Sequence, residues 1–240
     1  NHSLVVVNTT FFSFTTNQNL NVVIKDGKLV SYNVHTVAGR GKDTLTYKHP
    51  LGSAIGISKK RDADIAWLFT ASAFKRKAYA LQQDVYLRTD SNASYSYAKA
   101  DADNTIFYLG GDKKPLLKKW KMQTAVGGGP VLLQNGKIKI TNEEELKFSG
   151  KNGLSDKHPR TAMGYTADGR LIIMVIQGRS VDAVGATLIQ EAQLFKDLGC
   201  VEALNLDGGG SSCMLINGKE TIKVSDATGE RPVPAVFIIN

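Results

Sequence analysis

The segment Asn205-Leu206-Asp207-Gly208-Gly209-Gly210-Ser211-Ser212 holds the densest set of reactive and shape-giving residues in the chain. Three consecutive glycines weaken any regular element, so they serve backbone shape. They let the main chain approach a ligand closely and turn its amides towards an anion. Asp207 follows the expected strand 201–205, which would deliver it to an edge. There it can act as a base, ligate a metal or hold a sugar hydroxyl, and Ser211 and Ser212 add hydroxyl donors. The plainer alternative is a wide turn in which Asp207 caps its own backbone. The segment is not a Walker loop, because the Gly-Lys-Ser/Thr ending is missing. The spacing of its glycines also excludes a dinucleotide fingerprint.

A second glycine run, Gly127-Gly128-Gly129-Pro130, precedes Val131-Leu132-Leu133. Alone it reads as a loop turning into a strand; with the first run it suggests two glycine loops lining one cleft. A third segment is His158-Pro159-Arg160-Thr161. Arg160 offers a planar fork of donors matched to phosphate or carboxylate. Arg179, in Gln177-Gly178-Arg179-Ser180, ends the partner strand of the same hairpin. Register across Asp168-Gly169 brings Arg160 and Arg179 to one end of it. The alternative for each is a surface ion pair of little energetic weight. Glu191 is a second candidate carboxylate, on a helix where the plainer reading is a solvated face. Asn8 and Asn205 can bind sugar hydroxyls or an acetamido group, or can simply close turns and strand ends.

The elements that must position these residues are mostly hairpins. Asp26-Gly27, Asn135-Gly136, Asp168-Gly169 and Asn217-Gly218 each sit between apolar or β-branched runs and tolerate the positive φ of tight turns. They predict strand pairs 21–24 with 28–32, 131–134 with 137–140, 161–165 with 171–176, and 213–216 with 220–224. Further strands are expected at 4–8, 65–70, 105–109, 201–205 and 235–239. Residues 171–176 are apolar throughout, which predicts a strand covered on both faces. Leu188, Ile189, Ala192, Phe195 and Leu198 recur at helical spacing and predict a helix over 186–198, with Gly199 as its C-cap. A shorter basic helix is expected over 112–120, and a long surface loop over 90–104. Together these give an α+β fold: one domain over 1–240, a mainly antiparallel or mixed sheet built of hairpins, and a few packed helices.

The chain has 240 residues and 42% hydrophobic content, enough to bury a substantial core. No apolar run approaches the ~20 residues that cross a bilayer. The chain opens without Met and runs directly into a strand-forming segment, as a processed or trimmed chain would, so its first residues carry no address. Cys200 and Cys213 read as separate buried thiols. The net charge of +8 comes from lysine clusters at 59–61, 75–77 and 113–121. These read either as solvated faces or as a field that attracts anions. Nucleic acid is not expected, since no strand interleaves aromatic with basic residues. His2, His35, His49 and His158 show no metal spacing. Calcium or magnesium on Asp207 is permitted but not indicated. No cofactor is expected.

These segments carry a resemblance. Gly127 to Leu132, Pro159 to Gly164, the Gln177-Gly178-Arg179 turn, the run from Gly185 to Gly199 and Ala203 to Ser212 resemble the phosphodiester glycosidase family, in order and with compatible spacing. Asn8-Thr9-Thr10-Phe11-Phe12 is similar to the family's N-terminal motif, with Thr9 and Thr10 at its glycine or alanine positions. The resemblance implies hydrolysis of a glycosyl phosphodiester at the anomeric carbon and an extracytoplasmic setting. It points to Asp207, Arg160 and Glu191 for catalysis. For substrate it points to Asn8, Thr9, Gly128, Gly129, Thr161, Arg179, Asn205, Gly208, Gly209 and Ser211.

The chemistry is consistent with that set. A phosphate monoester leaves readily, so a general acid matters less than in glycosidases with paired carboxylates. Holding the departing phosphate matters more, and arginines suit it. Two alternatives stay open: a glycan- or phosphate-binding module without catalysis, and a metal-dependent phosphodiesterase that cuts at phosphorus.

Overall fold

The computed structural model describes residues 3–38, 47–48, 50–70, 77–81, 117–148 and 153–240. The expected loop 90–104, the strand 105–109 and the first residues of the basic helix lie outside these. The hairpin dipeptides do close turns. Asp26 and Gly27, Asn135 and Gly136, and Asn217 and Gly218 all take positive φ, between 50° and 75°. The fourth differs: Tyr165 pairs with Leu171, so the connection runs over 166–170 and Gly169 alone is left-handed.

The strands form three larger sheets in which every recorded pairing is antiparallel. Seven strands line up as Lys28–Ser31, Val23–Lys25, Thr124–Gly128, Gly52–Ile57, Ala63–Thr70, Ala78–Leu81 and Leu117–Trp120. Five line up as Lys137–Ile138, Val131–Gln134, Cys200–Asn205, Arg160–Thr166 and Leu171–Ile176. Four line up as Lys219–Glu220, Met214–Ile216, Val5–Asn8 and Val236–Ile239. A separate two-stranded pair joins Val37–Ala38 to Tyr47–Lys48.

One core joins the three sheets. Ile55, Trp67 and Val126 of the seven-stranded sheet meet Val131, Met163 and Leu204 of the five-stranded sheet and Val7 and Phe237 of the third. The alternate residues of the five-stranded sheet point the other way. Leu132, Ala162 and Ala203 pack there against Leu188, Ala192 and Phe195 of the helix Leu188–Asp197. Period-two alternation along the central strands thus feeds two layers at once.

Several expectations need correction. The fold is mostly β: among the described residues there is one α-helix, so α+β overstates the helical share. The expected basic helix ends as the strand Leu117–Trp120, because Ala78–Leu81 offers it a ladder partner. Leu171–Ile176 packs on both faces, yet all six residues are only half-buried, because the strand forms a sheet edge. The helix starts from a Thr187 capping box with Gln190. Its buried stripe is Leu188, Glu191, Ala192 and Phe195, while Ile189 and Leu198 are exposed. Gly199 follows with φ 77°. Both cysteines are free thiols; Cys200 is buried as expected, whereas Cys213 is only half-buried.

Candidate active site

The strand Cys200–Asn205 lies at the centre of its sheet, between Val131–Gln134 and Arg160–Thr166. Antiparallel neighbours place its C-terminal end beside the start of both. Beyond Asn205 the chain leaves the ladder but keeps main-chain bonds to three other segments. Leu206 N–H donates to Thr161, Asp207 N–H to Thr9 and Gly209 N–H to Pro159, each at 2.8 Å. Asn205 Nδ2 donates to the Gly129 carbonyl at 2.8 Å, and Gly129 N–H returns a bond to Asn205 at 2.7 Å. Asn8 closes the assembly. Its Nδ2 donates to the Asp207 carbonyl at 2.6 Å, while its Oδ1 accepts from Thr161 Oγ1 and Cys213 N–H.

Close approach requires the glycines. A Cβ on Gly208 would sit 2.8 Å from the Pro159 carbonyl oxygen, and Gly209 takes φ 62°, where side chains strain. A Cβ on Gly128 would enter the Asn205 carbonyl and the Leu206 side chain. The short 3₁₀ turn Gly209–Ser211 then returns the chain to the four-stranded sheet.

Asp207 is half-buried, and burial pushes its carboxyl up to about 6, against the opposing influence of Ser211, Arg231 and the Gly208 amide. Its Oδ2 has no hydrogen-bond partner, and neither have Ser211 Oγ, Thr10 Oγ1 and Asn205 Oδ1. Buried polar atoms are normally paired, so the unpaired ones along this loop and its neighbours are free to bond a molecule bound there.

The arginines divide into different environments. Arg179 is exposed, with φ 59°, and its guanidinium nitrogens lie 3.2–3.4 Å from where a Cβ on Gly209 would stand. Its Nη2 is 3.3 Å from His158 Nδ1. Arg160 is only 4% exposed. It donates from Nε to Ala186 and from Nη2 to Asp156, both carbonyls at 3.0 Å, and lies over the Phe148 ring. Burial lowers the His158 pKa, and Arg160 and Arg179 lower it further, so the three groups share one positive region. Arg160 and Arg179 therefore lie at one end of the hairpin, but the arginine acting on Asp207 is Arg231. Arg231 grips Asp226 through Nε and Nη2 at 2.9 and 2.6 Å, and this ion pair presses on Gly210.

Glu191 faces inward. It is 0% exposed, neither oxygen has a partner, and burial pushes it up to about 8 while Arg160 opposes that shift. The solvated-face reading therefore fails. Its cationic neighbour is Arg160, whose Nε donates to the Ala186 carbonyl just before the helix.

Sequence reasoning missed Arg231, Asp226, His158 as a group, and Glu145. Nothing in Gly229-Glu230-Arg231-Pro232 distinguishes that arginine. Glu145 is 0% exposed and accepts from Ser53 Oγ, Trp67 Nε1, Val131 N–H and Thr141 Oγ1. Its side chain fills the space against Gly129. In the run Glu143-Glu144-Glu145 no local signal separates it from its neighbours.

Fold and site together define a β-sheet protein whose glycine loop follows Asp207 and has Arg179 beside Gly209 and the Arg231–Asp226 ion pair beside Gly210. A family model described as phosphodiester glycosidase matches residues 1–240, and the chain belongs to that family. It is 44% identical over 85 residues to the SPbeta prophage-derived uncharacterized protein YomE of Bacillus subtilis, a stretch covering 35% of this chain and 13% of that one. It is 31% identical over 94 residues to the mouse N-acetylglucosamine-1-phosphodiester alpha-N-acetylglucosaminidase, covering 36% and 18%. The aligned stretches thus take up less than a fifth of either relative. Among solved structures, the zebrafish enzyme of that name, its catalytic domain auto-inhibited by pro-peptide, superposes with a TM-score of 0.62 at 22% identity. That match covers 99% of this chain and 63% of the other. A Burkholderia pseudomallei protein provisionally described as exported gives 0.58 at 18% identity, covering 99% and 66%. These likenesses establish a shared fold.

Proposed function

We propose that the protein hydrolyses a glycosyl phosphodiester at the anomeric carbon, releasing a free sugar and a phosphomonoester. The observation that carries this is Asp207. Its carboxyl is held near neutrality with a free Oδ2, on a loop flanked by Arg179 at Gly209 and Arg231 at Gly210.

In this reading water attacks the anomeric carbon and Asp207 takes its proton. The bond from that carbon to the phosphate oxygen breaks, and the electron pair leaves with the phosphate. Arg179 and Arg231 hold the charge that develops there. Arg160, committed to two carbonyls, positions the His158–Arg179 side of the site. Asn8, Thr9, Gly128, Gly129, Thr161 and Gly208 set the loop's shape. Asn205 Oδ1 is a free acceptor for a sugar hydroxyl, and Ser211 acts on the Asp207 carboxyl. Glu191 stays protonated behind Arg160 at neutral pH and has a supporting part. Family membership and the names of the mammalian relatives support N-acetylglucosamine as the first sugar to test. We read the chain as one domain acting outside the cytoplasm, in keeping with the Burkholderia neighbour provisionally described as exported. Among the described residues no helix is long and apolar enough to cross a membrane.

The test is hydrolysis of N-acetylglucosamine-1-phosphodiesters in heavy-oxygen water. Label in the released sugar supports attack at carbon, and Asp207→Asn should abolish turnover with the fold intact. Label in the phosphate would mean attack at phosphorus. Tight binding without product would mean a binding module.

A further inference from the structure

Lysines gather at one end of the seven-stranded sheet. The strands Val23–Lys25 and Lys28–Ser31 turn there through Asp26 and Gly27, and Gly52–Ile57 and Ala63–Thr70 turn there through residues 58–62. Residues 121–123 lie between the two turns. Gly27 N–H donates to the Gln123 carbonyl and Gln123 N–H to the Ile57 carbonyl, both at 2.8 Å. Main-chain bonds thus hold three segments side by side. They carry Lys25, Lys28, Lys59, Lys60, Arg61 and Lys121, all exposed. Two acids, Asp26 and Asp62, stand among these six cations, which leaves a surplus of four positive charges, half the net +8 of the chain. Ser58 Oγ donates to the Asp62 carboxylate at 3.2 Å and accepts from the Lys60 and Asp62 amides, which fixes the turn that presents Lys59, Lys60 and Arg61. Among the described residues none of the six cations enters an ion pair. An unpaired patch of one sign attracts a partner of the other.

The patch is remote from the glycine loop. The strand Thr124–Gly128 starts beside the patch and ends where Gly128 packs on Asn205 and Leu206. At the rise of an extended chain, Gln123 and Gly128 stand about 17 Å apart, so one diester bound at Asp207 does not reach the lysines. The two turns are separated by three strand spacings, about 14 Å. Trp120 is buried with its Nε1 on Asp64, and Met122 packs inward, so the patch has neither an aromatic platform for bases nor an apolar wedge for a bilayer. Lysine ammoniums are point charges, and a row of them suits a chain that carries an anion at every repeat. We propose that this end of the sheet is a docking surface for a linear phosphodiester-linked glycan, which it holds along one stretch while the glycine loop cuts another. This rests on the hydrolytic reading above and names the polymer as the natural form of its substrate. Docking raises the concentration of cleavable bonds at Asp207 without any new contact there.

Two measurements test this. The binding probe is a linear polymer of N-acetylglucosamine 1-phosphate units joined as diesters, titrated calorimetrically into Asp207→Asn so that it stays whole. In that background Lys59→Glu, Lys60→Glu and Lys121→Glu should each weaken binding roughly threefold to tenfold and lower the salt slope by about one. Lys196→Glu makes the same charge change on the exposed side of the helix and should leave binding unchanged. Turnover with Asp207 intact then compares the polymer with the methyl diester of N-acetylglucosamine 1-phosphate. Each of the three reversals should raise KM for the polymer by a similar factor and leave kcat and the methyl diester unchanged. Equal weakening by Lys196→Glu, or no weakening by the three reversals, would overturn the docking surface. Tighter binding of a thymidine homopolymer or of phosphatidylglycerol vesicles through the same lysines would overturn it in favour of nucleic acid or membrane. If wild type cleaves neither substrate but polymer binding depends on the three lysines, the surface stands and the hydrolytic reading falls. If the methyl diester is cleaved and the lysines do not affect the polymer, the reaction stands and the surface falls.

Discussion

The side-chain amide of Asn8 donates to the main-chain carbonyl of Asp207 at 2.6 Å, tying the first strand to a loop 199 residues further on. The same side chain accepts from Thr161 and from Cys213 N–H, so one residue spans both arms of the glycine loop and the neighbouring sheet. Asn8→Asp keeps the acceptor and loses the donor. Its kcat should drop about tenfold to a hundredfold through displacement of Asp207, from a lost buried bond of about 1–3 kcal/mol. Asn8→Ala should also lower the unfolding midpoint. Unchanged kcat in Asn8→Asp, with the fold intact, would remove the positioning role.

The Asp207 carboxyl sits at about 6 because burial disfavours its charge. A base must be ionised, so kcat/KM should rise with pH and level off above about 6. Arg231 favours the charged form, so Arg231→Met should move the midpoint of that rise upward. A profile that falls through the same region would make Asp207 an acid instead.

Glu191 carries the clearest link between pH and stability. Its folded pKa, about 8, lies above the ordinary glutamate value of 4.5. Between those limits the folded chain binds one more proton than the unfolded chain, so stability should decline as pH rises, by ~1.4 kcal/mol per unit. Glu191→Gln has no such proton to lose. Its advantage over wild type in urea unfolding should grow from pH 5 to pH 8. An advantage that does not grow with pH would mean that Glu191 has its ordinary pKa.

Glu145 gathers four donors from the seven-stranded sheet, the five-stranded sheet and Thr141. Glu145→Gln turns an amide towards at least one of those donors. About 3 kcal/mol of stability should be lost, because buried donors are left unpaired. Urea unfolding measures this directly, and a loss below about 1 kcal/mol would show that the cluster adapts.

Local pattern determined much of this protein. Asn-Gly and Asp-Gly dipeptides located the hairpins because few residues tolerate positive φ. The expected strand at 201–205 and the three glycines marked the delivery of Asp207 and the backbone's close approach. Helical spacing located the helix but not its buried face, since Glu191 took a core position that Ile189 and Leu198 did not. The tertiary structure alone decided that Leu171–Ile176 is an edge, that Arg160 turns to the helix side, and that Arg231 pairs with Asp226 beside Gly210. It also decided that Glu145, and not Glu143 or Glu144, is buried. The physical reason is common to these cases. Turn and strand preferences act between neighbours in the chain, whereas a side chain's electrostatic partner is set by which distant segments the folded core brings together.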